Sequence, residues 1–86
     1  MPYIKKCERV EYCDLIDSVV TLLDSKPVGH INYVISSILW KLFLANQTYS
    51  VANALVGVLE CVKLELYRRQ ISVYESEKIL ENGDIV

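Results

Sequence analysis

Between Gly57 and Gly83 the chain carries neither glycine nor proline, so no backbone chemistry interrupts a helix there. Apolar residues return at helical spacing through the same region: Val51, Ala54, Leu55, Val58, Leu59, Val62 and Leu66. Ser50 precedes them as an N-cap whose hydroxyl can accept from the amide of Ala52 or Asn53. Asn82-Gly83 supplies the stop, with glycine in the left-handed position and Asp84 beyond it. The pattern predicts a helix over residues 51–82, on the order of 45 Å at 1.5 Å per residue. A bend near Ser72-Val73, where β-branching returns, is the alternative to a straight rod. A helix of that length on a chain of 86 residues has more surface than its own neighbours can cover.

Two shorter helices precede it. Over residues 7–23, Tyr12, Leu15, Ile16, Val19, Leu22 and Leu23 form one apolar face. Glu8, Glu11, Asp14 and Asp17 crowd the first half, where exposed amides favour negative charge. Asp24-Ser25-Lys26-Pro27-Val28-Gly29 breaks the pattern, proline restricting the residue before it and glycine allowing a sharp turn. The second helix is predicted over residues 30–45. Ile31, Val34, Ile35, Ile38, Leu39 and Leu42 make one face, but Tyr33, Trp40, Phe43 and Leu44 lie outside it. With Lys41 its one formal charge, this helix calls for burial on two sides. Asn46-Gln47-Thr48-Tyr49 is a short polar connection, and an N-terminal arm through Ile4 is expected to be extended, docking by Tyr3 and Ile4. The expected fold is all-α: one compact three-helix domain over residues 1–86 with a long C-terminal helix. At 52% apolar residues, so short a chain is rich enough to require cover from copies of itself.

The remaining composition excludes more than it assigns. A net charge of −2 lacks the field of a general nucleic-acid binder, and binding to nucleic acid is not expected. Cys7, Cys13 and Cys61 match no zinc or CxxC spacing, and His30 adds no ligand cluster, so reduced thiols and no metal are expected. No nucleophile or orienting acid accompanies His30. The acids of the first helix have carboxylate-pair spacing, but the second helix contributes none to complete a metal cage. Neither a P-loop nor a dinucleotide fingerprint is present. The chain reads as non-enzymatic and without a cofactor. Met1-Pro2-Tyr3-Ile4-Lys5-Lys6 is followed by charge and not by an apolar run, so no signal peptide is read. Ile31 to Ala45 is shorter than the ~20 residues of a bilayer span and is interrupted by Asn32, Ser36, Ser37 and Lys41. A cytoplasmic protein with no membrane segment is the expectation.

Three surfaces stand out as candidate binding sites. Asn53, Gly57, Glu60, Leu64, Tyr67, Ile71, Tyr74 and Lys78 form a second stripe on the third helix. With Asn53 and Cys61 one turn to each side, Gly57 makes a row of small side chains over which a helix can pass closely, either in the same chain or in a copy. Lys63, Tyr67, Arg68, Arg69 and Tyr74 carry the chemistry of anion and aromatic recognition, because guanidinium forks grip phosphates and phenols stack and donate. Glu65, three and four residues before the arginines, and Glu60, three before Lys63, offer the plainer account of surface ion pairs. Asn32 and Tyr33 stand at a predicted helix start, where free amides can meet an anion or Asn32 can cap locally. Trp40 and Phe43 extend the candidate oligomer interface onto the second helix.

His30 to Tyr33, Asn53 to Gly57, Leu59-Glu60-Cys61-Val62-Lys63-Leu64-Glu65-Leu66-Tyr67-Arg68-Arg69, Tyr74-Glu75 and Lys78 to Asp84, together with Met1-Pro2-Tyr3-Ile4, resemble a small uncharacterised family. That family is encoded by tailed bacteriophages and by bacterial genomes carrying prophages. Its members often have Ala-Pro where this chain has Ser72-Val73, which implies a break or kink there. The resemblance implies an origin and no catalytic residues. It favours a homo-oligomer acting by occupancy in the host cytoplasm, sequestering a small anionic ligand such as a signalling nucleotide in counter-defence. The alternative is a protein-interaction module whose apolar helical surface docks on a host or virion protein. Gly57→Leu is expected to lower the melting temperature or the oligomer mass in light scattering, and a variant that keeps both overturns the close crossing at this glycine.

Overall fold

The structure is a computed structural model, and it describes residues 4–86. Every regular element among them is helical, with no strand. The chain divides into two compact units, Met1–Asn46 and Gln47–Val86. Each is taken on its own.

The first unit opens on a 3₁₀ turn, Lys6–Glu8, and continues as α1, Val10–Leu23. The predicted start at Cys7 thus falls in the tighter turn. Arg9 is the hinge between the two: its carbonyl accepts from the Tyr12 amide at 3.0 Å and the Cys13 thiol at 3.3 Å. Its guanidinium donates to the Ile4 carbonyl at 3.3 Å. Tyr3, the other residue of the expected docking arm, lies outside the described residues.

The break after α1 is a type II turn. Asp24 has φ −58° and ψ 132°, Ser25 has φ 66°, and the Lys26 amide donates to the Leu23 carbonyl at 3.0 Å. The sharp reversal predicted from Gly29 is therefore made by Ser25. Gly29 instead lies inside α2, Val28–Ala45, which starts two residues before the predicted His30. Pro27, with φ −57°, is its N-cap, and the His30 amide donates to the Pro27 carbonyl at 3.0 Å. Proline lacks an amide that the helix start would leave unpaired, so it fits at this boundary. The earlier start gives α2 18 residues with a mean hydropathy of 1.3, long and apolar enough by length and composition to cross a membrane.

In the second unit α3 spans Tyr49–Leu66. Its N-cap is Thr48 and not Ser50: the Thr48 hydroxyl oxygen accepts from the Val51 amide at 3.1 Å. Helical geometry continues to Asn82 but not as one α-helix. Tyr67–Ile71 forms a π-helical turn, in which the Ser72 amide donates to the carbonyl of Tyr67, five residues back. The helix then resumes as α4, Ser72–Asn82. The interruption thus lies one turn ahead of the expected bend at Ser72-Val73, as a widening of the helix. The predicted stop holds, with the Gly83 amide donating to the Ile79 carbonyl at 2.8 Å. At φ 85° and ψ 158°, Gly83 occupies backbone space essentially reserved for glycine.

None of the described residues is buried. Val19 and Leu23 on α1, Val34, Leu39 and Phe43 on α2, and Val51, Leu55 and Cys61 on α3 are half-buried. Ile16, Ile38, Trp40, Val62 and Leu66 remain exposed. The helices form where the periodicity places them, and within each unit the apolar stripes stay at least partly exposed. The physical reason is the number of stripes: α2 and α3 each carry apolar residues on more than one face, which the helices of one unit cannot enclose alone.

Two substitutions check this local reading. Ser25→Gly relieves a side chain held at positive φ and is expected to stabilise by up to about 1 kcal/mol. Gly29→Ala adds a methyl into open space within α2, worth about 1 kcal/mol of helix propensity. Each should raise the melting midpoint followed by circular dichroism by roughly 4 to 8 °C per kcal/mol. A fall in either midpoint contradicts the turn or the helix start given above.

Candidate functional site

The cationic cluster of the second unit is built on the end of α3 and the π turn. Lys63 Nζ lies 3.5 Å from Glu60 Oε1. Arg68 donates to Glu65 Oε1, and Arg69 Nη1 lies 3.5 Å from Glu65 Oε2. Both arginines thus share one carboxylate, as their spacing from Glu65 predicts. These pairs hold the cations in place without using them up. A guanidinium has five N–H donors and an ammonium three, and each pair occupies only part of that set. The Lys63 and Arg68 side chains stay 71% and 72% exposed, so water screens both pairs. Lys63, Leu64, Tyr67 and Arg68 line a shallow groove, which gives an incoming anion two cations, one phenol and an apolar floor.

The π turn adds a contact that helical-wheel reasoning missed. The Tyr67 hydroxyl donates to Glu75 Oε2 at 2.9 Å, across eight residues. At 3.6 residues per turn, positions eight apart sit about 80° apart around the axis. The wider i→i+5 turn takes up that offset and brings Tyr67 and Glu75 onto one side. Glu75 accepts this hydrogen bond and adds its negative charge, and together they raise the Tyr67 pKa above its ordinary 10.0. Tyr12, at the opposite end of the chain, is raised in the same way by a hydrogen bond to Glu11 and by the charges of Glu11 and Glu8. Tyr74, one helical turn along α4, lies beneath Lys78, whose Nζ is 5.5 Å from the ring centroid. Lys78 also pairs with Glu81 at 3.0 Å. No residue pattern read at α-helical period could have found the Tyr67–Glu75 pair. The available signal was only that the two are a donor and an acceptor flanking a suspected irregularity.

The candidates on α2 stand in the other unit and form their own surface. Because α2 begins at Val28, Asn32 lies past the free amides of the helix start, and its carboxamide oxygen accepts from the Ser36 hydroxyl at 3.2 Å. The anion-binding terminus expected at Asn32-Tyr33 is not there, and Asn32 does not cap the helix. Tyr33 instead joins Ser36, Ser37, Trp40 and Lys41 around a groove, with Tyr33 and Trp40 72% and 71% exposed. Phe43 is half-buried. On α3, Asn53 and Gly57 are exposed, and nothing lies within 4 Å of where a β-carbon on Gly57 would sit. The close helix crossing expected at this glycine is therefore unfilled within its own unit. Among the described residues, no three of His, Cys, Asp and Glu gather into a group able to hold a metal.

A family described as a domain of unknown function (DUF6899) matches residues 1–85. The chain belongs to this family. No curated protein and no solved structure matches it. Family membership covers almost the whole chain and brings no assigned chemistry, so the residues themselves carry the functional argument.

The Tyr67–Glu75 pair gives a titration to measure. Tyr67 has a raised pKa, so its contribution to stability is fully present below the ordinary tyrosine value and is lost as pH rises through the raised one. Glu75→Gln is expected to move one tyrosine of the alkaline absorbance titration to lower pH. Superimposable titration curves for the two proteins would show that the contact is absent in solution.

Proposed function

We propose that this chain is a non-enzymatic binding protein of phage origin that acts as a homo-oligomer in the cytoplasm of the host cell. Its role on this reading is to sequester a small anionic ligand, such as a signalling nucleotide, and so blunt a host defence. One observation carries the proposal: the groove in which Lys63, Tyr67 and Arg68 converge over Leu64. Phosphate oxygens would take the free donors of Lys63 and Arg68, and a base would lie against Tyr67 or Tyr74. Arg69, held beside Arg68 by Glu65, extends the positive edge. Sequestration requires affinity and stoichiometry alone, which suits a chain in which no catalytic set can be read. The exposed apolar residues support assembly, since a second subunit would give this shallow groove walls.

A second reading rests on α2. Its groove between Tyr33 and Trp40 is aromatic, exposed and bordered by a single cation. Those features suit an interaction module docking on a host or virion protein.

Thermal shift separates the two. A nucleotide that binds the folded state raises the melting temperature with concentration, by about 2.7 kcal/mol of stabilisation at one hundred times Kd. The Arg68→Ala, Arg69→Ala double variant should lose the shift while keeping its helicity. Shifts that persist undiminished in that variant would exclude the cationic groove. Absence of any shift across mono-, di- and cyclic nucleotides, with one stoichiometric protein partner retained in a pull-down, would instead favour the interaction module.

A further inference from the structure

The wide turn decides which residue of α4 stands in line with Tyr67. Around an unbroken α-helix, Tyr74 and Lys78 fall within roughly 20° of Tyr67 and Glu75 about 80° away. The stripe read from the sequence through Tyr67, Ile71, Tyr74 and Lys78 is the stripe of that unbroken helix. The π turn Tyr67–Ile71 takes up one extra residue, so positions beyond it count one fewer. Glu75 is thereby brought to within about 20° of Tyr67, and Tyr74 is carried to about 120°. One phenol thus has two alternative neighbours. With the turn wide, its hydroxyl donates to the Glu75 carboxylate at 2.9 Å. With the turn tightened, its ring has the Tyr74 ring and the Lys78 ammonium in line.

The residues of the turn do not themselves call for widening. Tyr67–Ile71 contains neither glycine nor proline, and π geometry is rare. The Lys63–Glu60 and Lys78–Glu81 pairs each lie within one α-helix and are indifferent to the turn. Glu65 stands three and four residues before its arginines, a spacing that pairs in ordinary α geometry as well. The Tyr67–Glu75 bond is different in kind, because α geometry turns its two partners apart. A contact made in one state and not in the other is what shifts an equilibrium between them.

We infer that the Tyr67–Glu75 hydrogen bond is a latch that holds the π turn open, and that its release tightens the turn and sets Tyr74 beside Tyr67. Glu75 is then a resident anion. It occupies the hydroxyl donor that an incoming phosphate would use, and it keeps away the second ring on which a base would stack. An anion that takes the Tyr67 hydroxyl displaces Glu75, and the tightened turn gathers both rings and Lys78 in line, with Lys63 one turn ahead. The ligand suited to this exchange carries a phosphate and an aromatic base together.

The ligand part of this inference rests on the proposed function; the latch does not, and its test uses no ligand. In protein labelled with ¹⁵N and ¹³C, scalar coupling across the hydrogen bond identifies the partner of the Ser72 amide. The unaltered chain should couple Ser72 to the Tyr67 carbonyl, five residues back. Tyr67→Phe removes the donor and keeps the ring, and Glu75→Ala removes the acceptor. Each should move the coupling to the Arg68 carbonyl and bring Tyr74 ring protons within nuclear Overhauser range of the ring at position 67, with helical content retained. A coupling that stays on the Tyr67 carbonyl in either folded variant overturns the latch, and so does a coupling to Arg68 in the unaltered chain. Loss of the helix in both variants overturns it too, because releasing a latch leaves the two helices intact. If one variant alone unfolds, the other decides. Failure of the latch leaves the Lys63–Arg68 groove and its thermal-shift test standing, and absence of any nucleotide shift leaves the latch standing.

Discussion

Within its own unit, no helix finds full cover for its apolar face, and the other features of the molecule follow from that constraint. Backbone hydrogen bonds, caps and i,i+3 or i,i+4 ion pairs are the interactions the chain supplies for itself. Such local terms make helices of 14 to 18 residues marginal at best, because most helical stability in proteins comes from packing an apolar face. The exposed apolar residues of α2 and the open space beside Gly57 on α3 show the same shortage, each within its own unit. They present the surfaces on which the missing contacts would be made, and on the proposed reading those contacts come from further copies.

Much of this was legible in the sequence, and what was not has local causes. Periodicity at 3.6 residues located all three helical runs, since a period survives whether or not its face is covered. The stop at Gly83 was legible because only glycine occupies that backbone region at little cost. Starts were harder. Thr48 and Ser50 are both competent caps, and propensity does not choose between two hydroxyls two residues apart. At the first reversal the visible glycine drew the prediction to Gly29, whereas the turn uses Ser25, a residue that enters the left-handed region at some cost. Apolar stripes declare that they will be covered, and they do not declare by whom.

The cationic cluster shows a similar split. Ion pairs from Glu65 to both arginines could be read from spacing, and they are made. What spacing could not show is that the shared carboxylate leaves the Arg68 side chain 72% exposed. Nor could it show Tyr67 reaching Glu75, because that contact exists only where the helix departs from its ordinary period. A bend at Ser72-Val73 and the wide turn Tyr67–Ile71 are adjacent along the chain, so the expected irregularity and the π turn concern neighbouring backbone.

The π turn also sets how the two halves of the last helix are phased. A π turn holds, in effect, one residue more than an α-helix would use over the same path. Each α-helical residue turns the chain by about 100°, so that extra residue fixes the azimuth at which Tyr74, Glu75 and Lys78 leave relative to Lys63 and Arg68. Were the turn to tighten to ordinary α geometry, α4 would stay helical and keep its sequence of contacts along the axis, yet present a different side. The decoration of α4 is therefore addressed by a local count of residues per turn.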